Sequence, residues 1–95
     1  MAKDLEAKGW QVRRTGEKGT VVDLIAGKGS FTRYIQVKAS EGSTRRWPDA
    51  DGIARLQRTA HGHGGTPVVA VVYSPRDNGK YVIEYRSADT GRLLG

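Results

Sequence analysis

The chain has 95 residues, enough for one hydrophobic core but too few for two, so a single domain over residues 1–95 is expected. Lysine and arginine outnumber aspartate and glutamate by 16 to 10, and the net charge of +6 favours nucleic acid as a partner, although a ribosome-associated or simply soluble basic protein has a similar composition. The lack of cysteine excludes disulfides and thiolate metal sites, and no apolar run is long enough to span a membrane. The first residues do not resemble a secretion signal, so a cytoplasmic protein is expected.

Turn signals divide the chain into seven short elements in the order αβββαββ, which predicts an α+β fold. Gly9 is a typical stop for a short first helix. Ile53, Leu56 and Ala60 have helical spacing and predict a second helix. The predicted elements, in chain order, are a helix over 4–8, strands over 10–14, 21–26 and 31–39, a helix over 49–61, and strands over 68–73 and 80–85.

Three polar residues occupy unusual places in the second and third predicted strands. Asp23 interrupts an apolar run, and a charge there costs free energy unless it has a partner. Gln36 and Lys38 share one face of the third strand with Tyr34, because successive strand residues point to opposite faces. One explanation is structural: Asp23 and Lys38 form a partly buried ion pair, and Gln36 is an ordinary exposed sheet residue.

The other explanation is chemical. Hydrolysis of a phosphodiester needs a divalent metal held by oxygen ligands, a water near the phosphorus, and positive charge that stabilises the anionic transition state. A carboxylate, a second oxygen donor and a lysine can supply these. Asp23, Gln36 and Lys38 are therefore a candidate catalytic set, with Asp23 and Gln36 as the candidate metal ligands.

The separation of Asp23 and Gln36 depends on the hairpin turn between their strands. If residues 28 and 29 form a two-residue loop, Asp23 pairs with Tyr34 and lies diagonally from Gln36, roughly 7–8 Å away. A slip of one residue would place Asp23 on the opposite face. The predicted proximity therefore requires an even-numbered loop or a compensating bulge.

Five segments of the chain match motifs of a known family in order and spacing: residues 9–14 (GWQVRR), 22–27 (VDLIAG), 34–38 (YIQVK), 53–56 (IARL) and 64–71 (GGTPVVAV). They resemble the GF-x-V-x-R, VDLIAG, IEVK, second-helix and GG-x-P-x-x-A-V motifs of archaeal-type Holliday junction resolvases, members of the PD-(D/E)XK nuclease superfamily. The resemblance covers roughly residues 5–73. It implies a restriction-endonuclease-like fold, with a mixed central sheet flanked by helices.

The resemblance also implies a role for each residue of the candidate set. Asp23 corresponds to the metal-binding aspartate, Gln36 takes the position of the second acidic ligand, and Lys38 matches the lysine that positions or helps to deprotonate water. The backbone carbonyl of Val37 is a further candidate ligand. Mg²⁺, or alternatively Mn²⁺, suits these oxygen donors better than zinc.

Two positions depart from the family pattern. The family carries a further glutamate early in its first helix, ahead of the position at which this chain begins, and the nearest carboxylate here, Glu6, is expected to face solvent. The amide of Gln36 can bind a metal through its carbonyl oxygen but carries no charge. Glutamine does occur at this position in related nucleases, including Mrr-like restriction enzymes.

Basic residues flank the candidate set in the sequence, and five of them are predicted to contact DNA phosphates: Arg13, Arg14, Lys18, Arg45 and Arg46. The alternative is a solvated basic surface. Trp47 is expected to pack on a sugar or to anchor its loop. His61 and His63 have the spacing of a metal-binding pair but no third ligand nearby, so an interaction with the helix end is favoured.

The resemblance as a whole implies a homodimeric, structure-selective endonuclease that hydrolyses branched DNA, above all four-way junctions, with Mg²⁺. Two alternatives remain at this point. One is an Mrr-like or flap-directed nuclease on the same fold. The other is a branched-DNA-binding module whose catalytic set has decayed. The presence of Gln36 in place of an acid is consistent with such a loss of activity.

Overall fold

The computed structural model of the protein describes residues 2–15 and 21–94. The elements follow the predicted order: α1 (Ala2–Ala7), β1 (Gln11–Arg14), β2 (Leu24–Lys28), β3 (Phe31–Ala39), α2 (Ala50–Gly62), β4 (Thr66–Tyr73) and β5 (Val82–Ser87). Three strands begin later than predicted: β1 starts at residue 11 rather than 10, β2 at 24 rather than 21 and β5 at 82 rather than 80, whereas β4 starts earlier, at 66 rather than 68. Neither α1 nor α2 has the length and apolar character needed to cross a membrane.

The strands form one five-stranded sheet in which their spatial order equals their order in the chain. β1, β2 and β3 are antiparallel neighbours, β4 runs parallel to β3, and β5 returns antiparallel to β4. A parallel pair cannot be joined by a tight turn, and here α2 lies in the crossover between β3 and β4. The sheet is therefore mixed, as the sequence resemblance implied.

The hydrophobic core has two parts, one on each side of the sheet. The cluster on the α1 side contains Leu5, Leu24, Ala26, Ile35, Val68, Ala70 and Tyr85. The cluster on the α2 side contains Val22, Leu56, Val69, Val71, Tyr73 and Ala88. Alternate residues of β4 therefore enter opposite clusters, and this strand is almost continuously buried because core residues pack against both of its faces.

The start of α2 is fixed beside the end of β3. The carboxylate of Asp49, the N-cap residue, accepts a hydrogen bond of 2.7 Å from the backbone N–H of Gly52. The helix ends at Gly62, and Gly64 then adopts a φ of +73°, a conformation that glycine tolerates well. The positions of these two helix ends determine which part of the sheet is covered by α2 and which part stays open to solvent.

Candidate active site

Asp23 lies at a break in the regular pairing of β2 with β3. Leu24 pairs with Ile35, and the backbone N–H of Asp23 also donates to the Ile35 carbonyl at 2.8 Å, so two residues oppose one, as in a β-bulge. Val22 and Leu24 enter core clusters on opposite sides of the sheet, whereas a regular strand would point both to one side. Asp23 is exposed at this bulge and precedes β2, so its predicted place inside an apolar strand is wrong.

The hairpin turn explains why the predicted register is also wrong. Lys28 remains in the ladder and residues 29 and 30 form the loop, so Asp23 does not pair with Tyr34. Gly29 has a φ of +60° and occupies the first loop position, where a type II′ turn requires glycine. The predicted loop would have placed Lys28 at that position, where both hairpin turn types need a positive φ that lysine rarely adopts.

The bulge brings the carboxylate of Asp23 to the predicted catalytic segment of β3. Its Oδ2 accepts a hydrogen bond of 2.8 Å from the backbone N–H of Val37, which lies between Gln36 and Lys38. In an extended strand the N–H and C=O of one residue point to the same neighbouring strand. The Val37 carbonyl therefore lies on the side of β3 that faces Asp23, as a shared ligand site requires.

Gln36 has a buried oxygen without a partner. Its Oε1 is the one buried side-chain nitrogen or oxygen that has no hydrogen-bond partner among residues 2–15 and 21–94. Its Nε2 faces the first turn of α2, since a Cβ added at Gly52 would lie 3.9 Å from it. A buried, unpaired carbonyl oxygen costs free energy. Gln36 is thus not the ordinary exposed sheet residue of the structural alternative, and the acceptor capacity of its oxygen is unused within the described residues.

Lys38 is half-buried at the end of β3. It pairs with Val71, which in turn pairs with Glu84, so Lys38 and Glu84 lie two strands apart in one row across the sheet. Strands are about 4.8 Å apart, which places the two backbones roughly 10 Å from each other. In the part of the chain that the structure describes, no ion pair joins Asp23 to Lys38. The structural alternative of a buried Asp23–Lys38 pair is therefore wrong.

The donor set at this position suits a hard divalent cation. The exposed carboxylate of Asp23, the unpartnered Oε1 of Gln36 and the carbonyl of Val37 are all oxygen donors, which Mg²⁺ and Mn²⁺ prefer. The described residues contain no cluster of three or more His, Cys, Asp or Glu that could hold a metal. A cation here would be held by one carboxylate, an amide, a backbone oxygen and water.

Two of the predicted DNA-binding arginines lie beside the candidate set. Arg13 and Arg14 pair with Ile25 and Leu24 at the start of β2, and both line a cleft of about 290 Å³. Lys18, predicted for the same role, lies outside the described residues. Arg46 is exposed on the loop of residues 40–48 and borders a second surface hollow.

Arg45 is engaged within the protein, although DNA contact was predicted for it. Its guanidinium donates to Glu84 (Nε to Oε1, 3.1 Å) and to the hydroxyl of Tyr73 (2.7 Å), and it lies 4.5 Å from the centre of the Tyr73 ring. Burial would raise the pKa of Glu84, but hydrogen bonds from Arg45, Tyr73 and Arg86 outweigh it and lower the pKa to about 2. This network ties the 40–48 loop to the sheet.

The cleft that contains Arg13 and Arg14 has an aromatic wall on its other side. Tyr34 and His63 stack there with ring centroids 5.6 Å apart and an interplanar angle of 18°. His61, by contrast, lies 3.1 Å from the carboxylate of Asp89. The two histidines therefore do not form a metal-binding pair, and His63 belongs to the cleft.

Comparison with known proteins adds evidence for the fold. No family model and no curated protein sequence matches the chain. Among solved structures, the Holliday junction resolvase of the archaeal hyperthermophile Archaeoglobus fulgidus superposes with a TM-score of 0.72 at 22% identity, over 93% of this chain and 73% of that chain. The chain shares the fold of this resolvase. The restriction-endonuclease-like fold expected from the sequence is thereby confirmed.

The sequence motifs missed the aromatic wall. Tyr34 shares the alternating polar face of β3 with Gln36, which was a signal that it lies near the candidate set. His63 gave no such signal, because it meets Tyr34 through the crossover between β3 and β4. Thr15 and Thr59, which also line the cleft, carry no motif.

Proposed function

We propose that the protein is a metal-dependent endonuclease that cuts branched DNA, with a four-way junction as its substrate. The observation that carries this proposal is the hydrogen bond of 2.8 Å between the Asp23 carboxylate and the Val37 N–H, which holds a carboxylate beside Gln36 and Lys38. The unpartnered oxygen of Gln36 adds a second donor. The fold shared with an archaeal Holliday junction resolvase supports the choice of a junction as the substrate.

Each member of the candidate set has a defined task in this proposal. Asp23, Gln36 and the Val37 carbonyl would hold Mg²⁺, or Mn²⁺ in its place. Such a metal would supply positive charge that stabilises the anionic transition state and would make the attacking water more acidic. Lys38 orients the attacking water or accepts its proton, and its ammonium form stabilises negative charge on the phosphate oxygens. The water oxygen bonds to phosphorus as the bond from phosphorus to the 3′ oxygen breaks; the water gives up one proton and the departing 3′ oxygen takes one from solvent, which leaves a 5′-phosphate and a 3′-hydroxyl.

The surroundings of the set provide for substrate binding. The net charge of +6 attracts the DNA backbone, and Arg13, Arg14 and Arg46 contact phosphates. Resolution of a four-way junction needs two symmetric cuts, whereas each chain carries one candidate site, so the active form in this proposal is a homodimer.

The test compares a labelled synthetic four-way junction with a linear duplex of matched sequence, each incubated with Mg²⁺ or with EDTA. The junction should be nicked in Mg²⁺ and remain intact in EDTA. Lys38→Ala should reduce the nicking rate by about 100-fold or more while binding in EDTA changes little, because one group acts on the water and many phosphate contacts hold the DNA. Lys28→Ala is the matched control, since this lysine of the same hairpin bonds to the Lys8 carbonyl instead.

The other outcomes separate the alternatives. Cleavage of the linear duplex at the same rate as the junction would favour an Mrr-like nuclease. Tight junction binding without nicking in Mg²⁺ or Mn²⁺ would favour a binding module whose catalytic set has decayed. This is a specific second candidate because Gln36 is uncharged where the family has an acid. Equal nicking by Lys38→Ala and the wild type would refute the proposed site.

A further inference from the structure

The cleft beside the candidate site has one basic and one aromatic wall. Arg13, Arg14 and Thr15 line it on the β1 side, and Tyr34, Thr59 and His63 on the α2 side. Its volume of about 290 Å³ is close to the lower limit for small-ligand pockets in proteins. The cleft adjoins the candidate site on two strands, because Val22 precedes Asp23 and Tyr34 lies two residues before Gln36 on the same face of β3.

The aromatic wall is held in place by the backbone. Gly65 lies so close to the Tyr34 ring that an added Cβ would be 2.4 Å from its Cε2 atom, and 3.0 Å from the Thr32 carbonyl oxygen. The turn after α2 thus packs directly on the edge of Tyr34, which in turn supports one face of the His63 imidazole. His63 is exposed, so its ring extends the wall to solvent. A supported, solvent-accessible aromatic ring is suited to stacking against another flat ring.

The opposite wall carries the complementary chemistry. Arg13 is exposed and pairs with Ile25, a floor residue of the cleft that also pairs with Tyr34, so arginine and tyrosine lie two strands apart on the same row. Guanidinium groups bind phosphate well, and the hydroxyl of Thr59 can donate a hydrogen bond to a phosphate oxygen, whereas the Thr15 hydroxyl donates to the Val22 carbonyl at 2.7 Å. Phosphate binding on one side and ring stacking on the other are the features that recognise a nucleotide of a single DNA strand.

We infer that this cleft binds the nucleotide next to the phosphate that is cut, with Arg13 on its phosphate and its base stacked on His63. The inference rests on the proposed function, and it adds a specificity element that the candidate set lacks. A base can stack in this way only when it has left its duplex partner, and bases at a branch point unpair at lower cost than bases within a duplex. The Tyr34–His63 wall therefore favours cleavage near a branch over cleavage within a duplex.

The experiment uses three variants and one modified substrate. His63→Ala should weaken junction binding in EDTA about tenfold, the usual consequence of losing one base–aromatic stack, while His63→Phe should retain wild-type affinity. His61→Ala is the matched control, because that histidine occupies the same helix end and faces Asp89. Its affinity should equal that of the wild type. Thermal unfolding of each variant verifies that the fold is retained.

The modified substrate locates the contact. After the cut position is mapped, the base next to the scissile phosphate is replaced by an abasic residue. Wild-type binding should then weaken about tenfold, and His63→Ala should bind this substrate as well as the wild type does. An undiminished difference between the two proteins on abasic DNA would overturn the inference, as would wild-type affinity of His63→Ala on the intact junction. If the wild type neither binds nor cuts any junction, the proposed function itself fails instead.

Discussion

Replacement of Glu84 by glutamine tests how strongly the 40–48 loop is tied to the sheet. Glu84 accepts hydrogen bonds from Arg45 at 3.1 Å, from Tyr73 at 2.7 Å and from Arg86 at 3.1 Å, and its side chain is 17% exposed. Glutamine keeps the shape but removes the charge on which these contacts depend. The 40–48 loop would then lose its ionic anchor.

The pKa of Glu84 sets the upper limit of the effect. The fall from the ordinary value of 4.5 to about 2 corresponds to at most about 3–4 kcal/mol of stability at neutral pH. Arg45 is more than half exposed, so solvent screening reduces its share, and glutamine retains part of the hydrogen bonding. We expect Glu84→Gln to lower the free energy of unfolding by about 1–2 kcal/mol, or the midpoint temperature by roughly 5–12 °C.

The pH dependence has a definite sign. Because folding lowers the pKa of Glu84, its stabilising charge is fully present above about pH 4.5 and is lost as the pH falls towards 2. The difference between wild type and Glu84→Gln should therefore be largest near pH 7 and should shrink below pH 4.5. Thermal unfolding followed by circular dichroism at several pH values measures it.

Asp51→Asn provides the matched control for Glu84→Gln. Asp51 forms an exposed i,i+4 pair with Arg55, and such pairs contribute at most about 0.5 kcal/mol. Its removal should change the midpoint far less at every pH. If Glu84→Gln is as stable as the wild type at pH 7, or if the difference persists unchanged at pH 2, the network does not stabilise the fold in the way described.

Three further predictions concern the site and the cleft. Gln36→Glu adds a charged oxygen at the unpartnered amide position, so the Mg²⁺ concentration for half-maximal cleavage should fall about tenfold. If this Mg²⁺ concentration and the metal affinity are both unchanged, Gln36 is not a ligand. Asp23→Asn keeps an oxygen to accept from Val37, so cleavage should be lost with a nearly unchanged melting temperature, and unfolding would instead indicate a structural role. Gly65→Ala should lower the free energy of unfolding, measured with denaturant, by about 1–3 kcal/mol because the added Cβ overlaps Tyr34. A variant as stable as the wild type would show that the Tyr34 ring can shift at little cost.

The parts of the fold that follow from local patterns could be predicted from the sequence. The alternation along β3 predicted its bounds of residues 31–39, and the spacing of Ile53, Leu56 and Ala60 predicted α2 to within one residue at each end. The candidate catalytic segment around Gln36 was also recognisable, because its motif lies within one regular strand, and its catalytic role stays a prediction. These features depend on residues close together in the chain.

The features that were missed depend on non-local contacts or on the choice between similar turns. Both glycines of the 27–30 turn segment permit a hairpin, and the φ of Gly29 decides between the two loops. The bulge at Asp23 leaves no sequence signature of its own. Arg45 meets Glu84 across 39 positions, so its basic character alone suggested solvent or DNA and gave no sign of an internal partner.

The location of the candidate ligands in one hairpin has a consequence for folding. Asp23 and the Gln36–Lys38 segment are close in sequence and can meet on the microsecond timescale of hairpin formation. Nε2 of Gln36 faces the first turn of α2. That turn comes into place only when β3 pairs with β4, and this non-local pairing requires closure of the crossover loop. A cation that needs this complete environment would bind the native chain and not the isolated hairpin. Changes in α2 or β4 that destabilise the crossover would therefore weaken metal binding, although neither element supplies a ligand.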